Sequence, residues 1–141
     1  LQTQNFTTAT DTFNTAVGAY AGVAVTTGTN NTLIGGLAGD ALTTGGANVA
    51  VGYAALSTED GNGNNVAVGY LALTTQNTGA DGHNTGVGHK AGRNITTGTE
   101  NTLIGALAGD ALTDVDYNTA IGKSALTADW HTQHPSRWAC W

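Results

Sequence analysis

Short apolar pieces alternate with Thr, Asn and Gly along this chain, on a fixed beat. A branched aliphatic is followed at once by glycine, and three residues further on by alanine, as in Ile34-Gly35 with Ala38 and Ile104-Gly105 with Ala108. The pattern restarts at Asn14, Asn31, Asn48, Asn65, Asn84, Asn101 and Asn118, in steps of 17, 17, 17, 19, 17 and 17 residues. With each Asn counted as position 1, four positions are kept in all seven copies. They are Asn at 1, Val or Ile at 4, Gly at 5 and Ala at 8. A period near 17 over seven copies is the signature of a repeat array. Asn31–Thr43 returns almost letter for letter as Asn101–Thr113, an offset of 70 residues that points to duplication of a four-rung block.

The beat predicts strands. Glycine directly after the Val or Ile weakens a helix by about 1 kcal/mol relative to alanine. Short apolar pieces bounded by Thr, Asn and Gly are how brief strands between tight turns read. A rung of ~17 residues is also too short for a helical-pair repeat, which needs more than about 30. The expected fold is all-β, a parallel β-solenoid or β-roll of seven rungs. Stacked at about 4.8 Å, the rungs would make a rod of roughly 34 Å.

Stacking predicts ladders. Asn31 and Asn101 belong to an Asn column expected to mark corners, tolerate left-handed backbone and form stacked amide bonds. Gly35 and Gly105 mark further corners at positive φ. Ile34 and Ile104, with the other position-4 residues, are expected to form the core. Ala38 and Ala108 imply a close inward approach. Positions 10 to 17 vary most. In the third and fourth rungs they are polar, over 57–64 and 74–83, and place Glu59, Asp60, Asp81 and His83 in candidate surface loops, where binding usually sits. Removing the carboxylates of Glu59 and Asp60 is expected to leave such a fold intact.

Three segments result. Residues 1–13 fit the repeat poorly and read as an N-terminal cap or an upstream rung. Residues 14–127 are the seven-rung solenoid. Residues 128–141 form a C-terminal tail or cap that holds Trp130, Trp138 and Trp141, the single proline and the single cysteine, Cys140. The chain opens on Leu1 and is expected to be a processed product or a fragment of something longer.

Composition narrows the classes. Only 10% of residues are charged and 21 of 141 are glycine, unlike the high net charge of solvated disorder. The formal net charge of −6 and the scattered Lys90, Arg93, Lys123 and Arg137 argue against a phosphate-binding surface, so no nucleic-acid partner is expected. One cysteine allows no intrachain disulfide. No apolar run approaches the roughly 18 residues of a membrane helix, so no membrane insertion is expected.

Catalytic chemistry has little purchase. Gly-x-Ser-x-Gly, a Walker loop and His-Glu-x-x-His are all missing from the sequence, and the chain is expected not to be an enzyme and to use no cofactor. The acidic loops offer oxygen ligands but lack the spacing of calcium-binding loops, and His131, His134 and Cys140 offer zinc-ligand chemistry at loose spacing, for which an ordinary polar tail is the preferred reading. No metal is expected. Asp40 and Asp110 occupy equivalent positions. They would form carboxylate rings if they faced a symmetry axis and are expected to face water.

The motif Asn-(Thr/Val)-x-(Val/Ile)-Gly-x-x-Ala resembles the heads of trimeric autotransporter adhesins and the repeat shafts of phage tail fibres and related bacterial surface fibres. The resemblance covers about 14–127. It implies a homotrimer of left-handed parallel β-rolls with the Val/Ile-Gly strand near the trimer axis. It departs from the adhesin rung, which is nearer 14 residues, and shows no heptad neck, no membrane-anchor strands and no C-terminal chaperone domain. The expected function is the structural shaft or head of an extracellular fibre, on a virion or a cell surface, that attaches to a glycan or receptor. The alternative is a monomeric ligand-binding solenoid such as an ice-binding protein, suggested by Thr-Thr-Gly-Thr at 26–29 and 96–99 and by Thr at position 2 in five rungs.

Overall fold

The computed structural model describes residues 11–127 and 139–140. The cap proposed for 1–13 and the tail at 128–141 lie almost wholly outside the described residues. Each rung contributes one three-residue strand: β1 (Thr15–Val17), β2 (Thr32–Ile34), β3 (Val49–Val51), β4 (Val66–Val68), β5 (Thr85–Val87), β6 (Thr102–Ile104) and β7 (Thr119–Ile121). They stack in chain order into one parallel sheet, to which a two-residue strand, β8 (Ala139–Cys140), adds beside β7. The register never slips, so position 2 pairs with 2, 3 with 3 and 4 with 4 from β1 to β7. The chain is an all-β parallel solenoid.

Successive strand residues point to opposite faces, and this decides the core. Position 3 faces inward: Leu33, Ala50, Ala67, Leu103 and Ala120 are fully buried. Position 4 faces outward. Ile34 and Ile104 are each 39% exposed and Val17 is 58% exposed. The Val/Ile ladder is therefore not the core of the single chain, because its neighbour at position 3 has the inward place. Ala38 and Ala108, at position 8, are fully buried. Position 12 completes the interior with Val25, Leu42, Ile95 and Leu112.

Position 5 explains its glycine. Gly35 has φ of 132°, and a Cβ there would stand 2.5 Å from the carbonyl oxygen of Gly52 in the next rung. All seven position-5 glycines have φ between 120° and 138°, a region that side chains with a Cβ avoid. The corner asparagines behave differently from expectation. Left-handed backbone falls on the residue before each Asn, as at Asn30 (φ 60°), Glu100 (φ 58°) and Tyr117 (φ 61°), and not on Asn31 or Asn101.

The Asn column instead runs through the interior. Asn31, Asn48, Asn65, Asn84 and Asn101 are fully buried. Each Oδ1 accepts the backbone N–H of the next Asn: Asn48 N–H donates to Asn31 at 2.9 Å, and Asn118 N–H to Asn101 at 2.9 Å. The Nδ2 groups donate to carbonyls in the turn, as Asn31 does to Gly45 at 2.9 Å, and several also donate to the Oδ1 of the preceding Asn, as Asn101 does to Asn84 at 3.1 Å. A short side chain that both donates and accepts is needed here. Hydrogen bonds of this kind let polar groups stay buried without the desolvation cost of an orphan.

Candidate functional site

The outward face of the sheet is the most regular surface of the molecule. Positions 2 and 4 of β1 to β7 supply it, fourteen side chains in all. Every one is β-branched: Thr or Val at position 2, Val or Ile at position 4. Such side chains have stiff χ1 torsions, so burying them against a partner orders little that is not already ordered. The strands are short and in register, and the position-4 ladder of aliphatics meets water.

Two edges flank this face. Strands that run parallel place all their N-terminal ends along one edge and all their C-terminal ends along the other. Beyond the C-terminal ends, the rings of Tyr53, Tyr70 and His89 stack in a column, with centroids 5.7 and 5.4 Å apart and planes within 16° of parallel. All three are exposed, as are Tyr20 beyond the C-terminal end of β1 and Phe13 before its N-terminal end.

The variable loops divide in two. Asp60, Asp81 and His83 are exposed. Glu59 is not: it is fully buried at position 12, where the second rung carries Leu42 and the fifth Ile95. The reading of Glu59 as a surface-loop residue is corrected by the stacking, which turns position 12 inward in each of the first six rungs. Its carboxylate accepts from Asn62 Nδ2 at 2.9 Å and from Gln76 Nε2 at 3.1 Å. Gln76 is also fully buried, and its Oε1 accepts from Asn84 Nδ2 at 3.1 Å. A polar pair thus replaces the aliphatic corner in rungs three and four and joins the Asn column. Removing the Glu59 carboxylate would leave both donors without that acceptor.

The two extra residues of the fourth rung are also located. Asn77 N–H still donates to Thr96 O at 2.8 Å, and Gly82 N–H to Gly63 O at 3.1 Å. The insertion therefore bulges between them. A Cβ on Gly79 would meet nothing within 4 Å. Asp81 ties the bulge back by accepting from Gly63 N–H at 3.0 Å.

Asp40 is half-buried. Its Oδ1 is enclosed without a hydrogen-bond partner. Burial raises its pKa above the ordinary 3.8, partly opposed by backbone N–H groups of Asp40 and Ala41. The hydroxyls of Thr26, Thr43 and Thr96 are spent within the rod, donating to the carbonyls of Thr43, Asp60 and Thr113 at 3.1, 2.8 and 3.1 Å. Among the described residues no three His, Cys, Asp or Glu side chains converge as a metal site, and no helix is long and apolar enough to cross a membrane.

The sequence pattern missed the inward columns at positions 3 and 12, and with them Gln76. The missed signal was a compensation: rungs with Leu at position 3 carry Gly at position 9 (Leu33 and Gly39, Leu103 and Gly109), and rungs three and four carry Ala at 3 and Leu at 9 (Ala50 and Leu56, Ala67 and Leu73).

These features define the class of molecule as a parallel β-solenoid with a uniformly β-branched face that no described residue covers. No family model, curated relative or solved structure matches the chain.

Proposed function

We propose that this chain is the shaft or head of an extracellular fibre, in which three copies pack their β-branched faces about a common axis as left-handed β-rolls. The observation that carries this reading is the fourteen-residue outward face, apolar at every position-4 step and left uncovered by the described residues. Contiguous apolar surface of this kind marks an interaction site. A rod whose interior is mostly Ala and Gly beside a few Leu and Ile also gains most by burying a second surface. The exposed residues of the turns over 57–64 and 74–83, among them Asp60, Asn77, Asp81 and His83, are available to meet a glycan or receptor, the role proposed for them on a virion or cell surface.

The test is the solution mass by light scattering, for the wild type and for Val68→Lys at the middle of the face. A mass of three chains that falls to one in the variant, with its β-structure retained, supports the proposal. A single-chain mass for the wild type rejects it.

One observation favours a second reading. The same face presents Thr32 and Thr102 outward beside Ile34 and Ile104, a flat Thr-x-Ile array of the kind an ice-binding solenoid would use as a monomer. That reading requires thermal hysteresis from a single-chain species, lost when Thr32 or Thr102 is made bulky.

A further inference from the structure

The two long edges of the sheet differ in charge. On the C-terminal edge, directly after the position-5 glycines, stand His89, Lys90 and Lys123. These include both lysines among the described residues. On the N-terminal edge, Glu100 directly precedes Asn101 and Asp116 stands two residues before Asn118, both exposed. Asp81 and Asp114 lie in the turns that feed that edge. The exceptions are His83 on the N-terminal edge and, further from the face, Asp40, Asp110 and Arg93, all at position 10, with the buried Glu59 at position 12 and Asp60 at position 13.

Height along the rod matters as much as sign. Asp116 and Tyr117 precede β7, and Lys123 follows it, so they share a rung. Glu100 lies one rung, about 5 Å, from both Lys90 and Lys123. Phe13 and Tyr20, the most exposed aromatics of the first rung at 73% and 67%, flank β1 on opposite edges at one height. Two copies whose faces meet have two choices. With rods parallel, about an axis along the rod, the N-terminal edge of one copy lies beside the C-terminal edge of the next at the same height. With rods antiparallel, like edges meet at inverted heights, and neither Asp116 with Lys123 nor Phe13 with Tyr20 comes together.

We infer that these edges form a head-to-tail joint between copies of this chain, the acidic N-terminal edge of one against the basic C-terminal edge of the next. The inference rests on the assembly proposed above and adds its polarity. The joint holds the rods parallel and matched rung to rung. Contacts of this heterologous type close into rings when the rotation permits. Charges at the rim of an interface act mainly on orientation and register, by steering the right encounter and opposing the wrong one.

The experiment is paired cysteine cross-linking in the full chain with Cys140→Ser. Tyr117→Cys with Lys123→Cys places one thiol on each edge of the seventh rung, on opposite ends of β7. Mild oxidation is expected to give covalent trimers on a non-reducing gel. Phe13→Cys with Tyr117→Cys places both thiols on the N-terminal edge at opposite ends of the rod, and is expected to give none. Cross-linking of the second pair, or of neither pair in a protein that still has a trimeric mass, overturns the joint. A monomeric mass for the wild type overturns the assembly itself, a separate result read from light scattering alone. As a check independent of cysteine placement, Lys90→Glu with Lys123→Glu should raise the concentration of half-assembly about tenfold or more. Adding Glu100→Lys and Asp116→Lys should recover most of that loss. No change in the first variant counts against the joint.

Discussion

The second and third rungs fill the same interior from different directions. In the second, Leu33 enters from the strand, Gly39 leaves room for it and Leu42 closes the corner. A Cβ on Gly39 would stand 2.8 Å from the side chains of both leucines. In the third, Ala50 takes the strand position, Leu56 enters from the place of Gly39, and the corner is Glu59. Gly39 and Leu56 have nearly equal φ, 55° and 53°, so the backbone is shared and only the side-chain source has moved. What is kept from rung to rung is a filled volume, close to the density that interiors require. Where the third rung puts a carboxylate in that volume, two amides come with it.

The comparison can be broken at graded cost. The two rungs do not differ at position 5, and the largest effect is expected there. Gly35→Ala brings both a strained φ and a backbone clash with Gly52 and should lose about 4 kcal/mol in chemical denaturation. Next comes the exchange itself. Leu33→Ala should cost about 3 kcal/mol by leaving a cavity, and Gly39→Leu alone should overpack. Together they rebuild the third rung's arrangement in the second, and the pair should lie within about 1.5 kcal/mol of wild type. Additive losses in that cycle would mean that the two rungs are not interchangeable solutions.

The corner gives a smaller effect and a sharper one. Glu59→Ala leaves the Gln76 and Asn62 amides without their acceptor and should cost about 2 kcal/mol. Glu59→Leu with Gln76→Leu continues the column of Leu42 and Ile95, and should melt no lower than Glu59→Ala and close to wild type or above it. Asp60→Ala, exposed beside it, should change stability by less than about 0.5 kcal/mol. The smallest effect belongs to Asp40. Its folded pKa is raised, so the native state binds a proton more readily than the unfolded chain. Its contribution is most favourable at low pH and is lost as pH rises through the window above 3.8. Asp40→Asn should flatten that part of the stability profile, measured by melting across acid pH.

The rungs and their starts were legible because Asn, Gly and Ala each answer to a backbone requirement that recurs unchanged. Gly35 must be glycine whatever surrounds it. The inward faces were not legible in the same way. Side-chain volume can be supplied by position 3 or by position 9, so no single column stays constant. The Val/Ile column stays constant and yet faces outward, which periodicity alone cannot distinguish from a core. Glu59 was misread because a charged residue in a Gly- and Asn-rich stretch normally signals a solvated loop. Its burial depends on Gln76, seventeen residues away, and Asn62. The two edges of the sheet became visible only once the parallel register had sorted the charged residues by strand end.

The bulge between Asn77 and Gly82 has a practical meaning. The stack on either side of it keeps its bonds, so the axial repeat does not depend on how much chain is spent in that turn. Lengthening there should be tolerated, because the closure entropy of a flexible turn grows only slowly with its length. The turn around Gly79 is thus a place where foreign peptide can be grafted at a known height on the rod, and where natural variants can acquire new surface without rewriting the repeat.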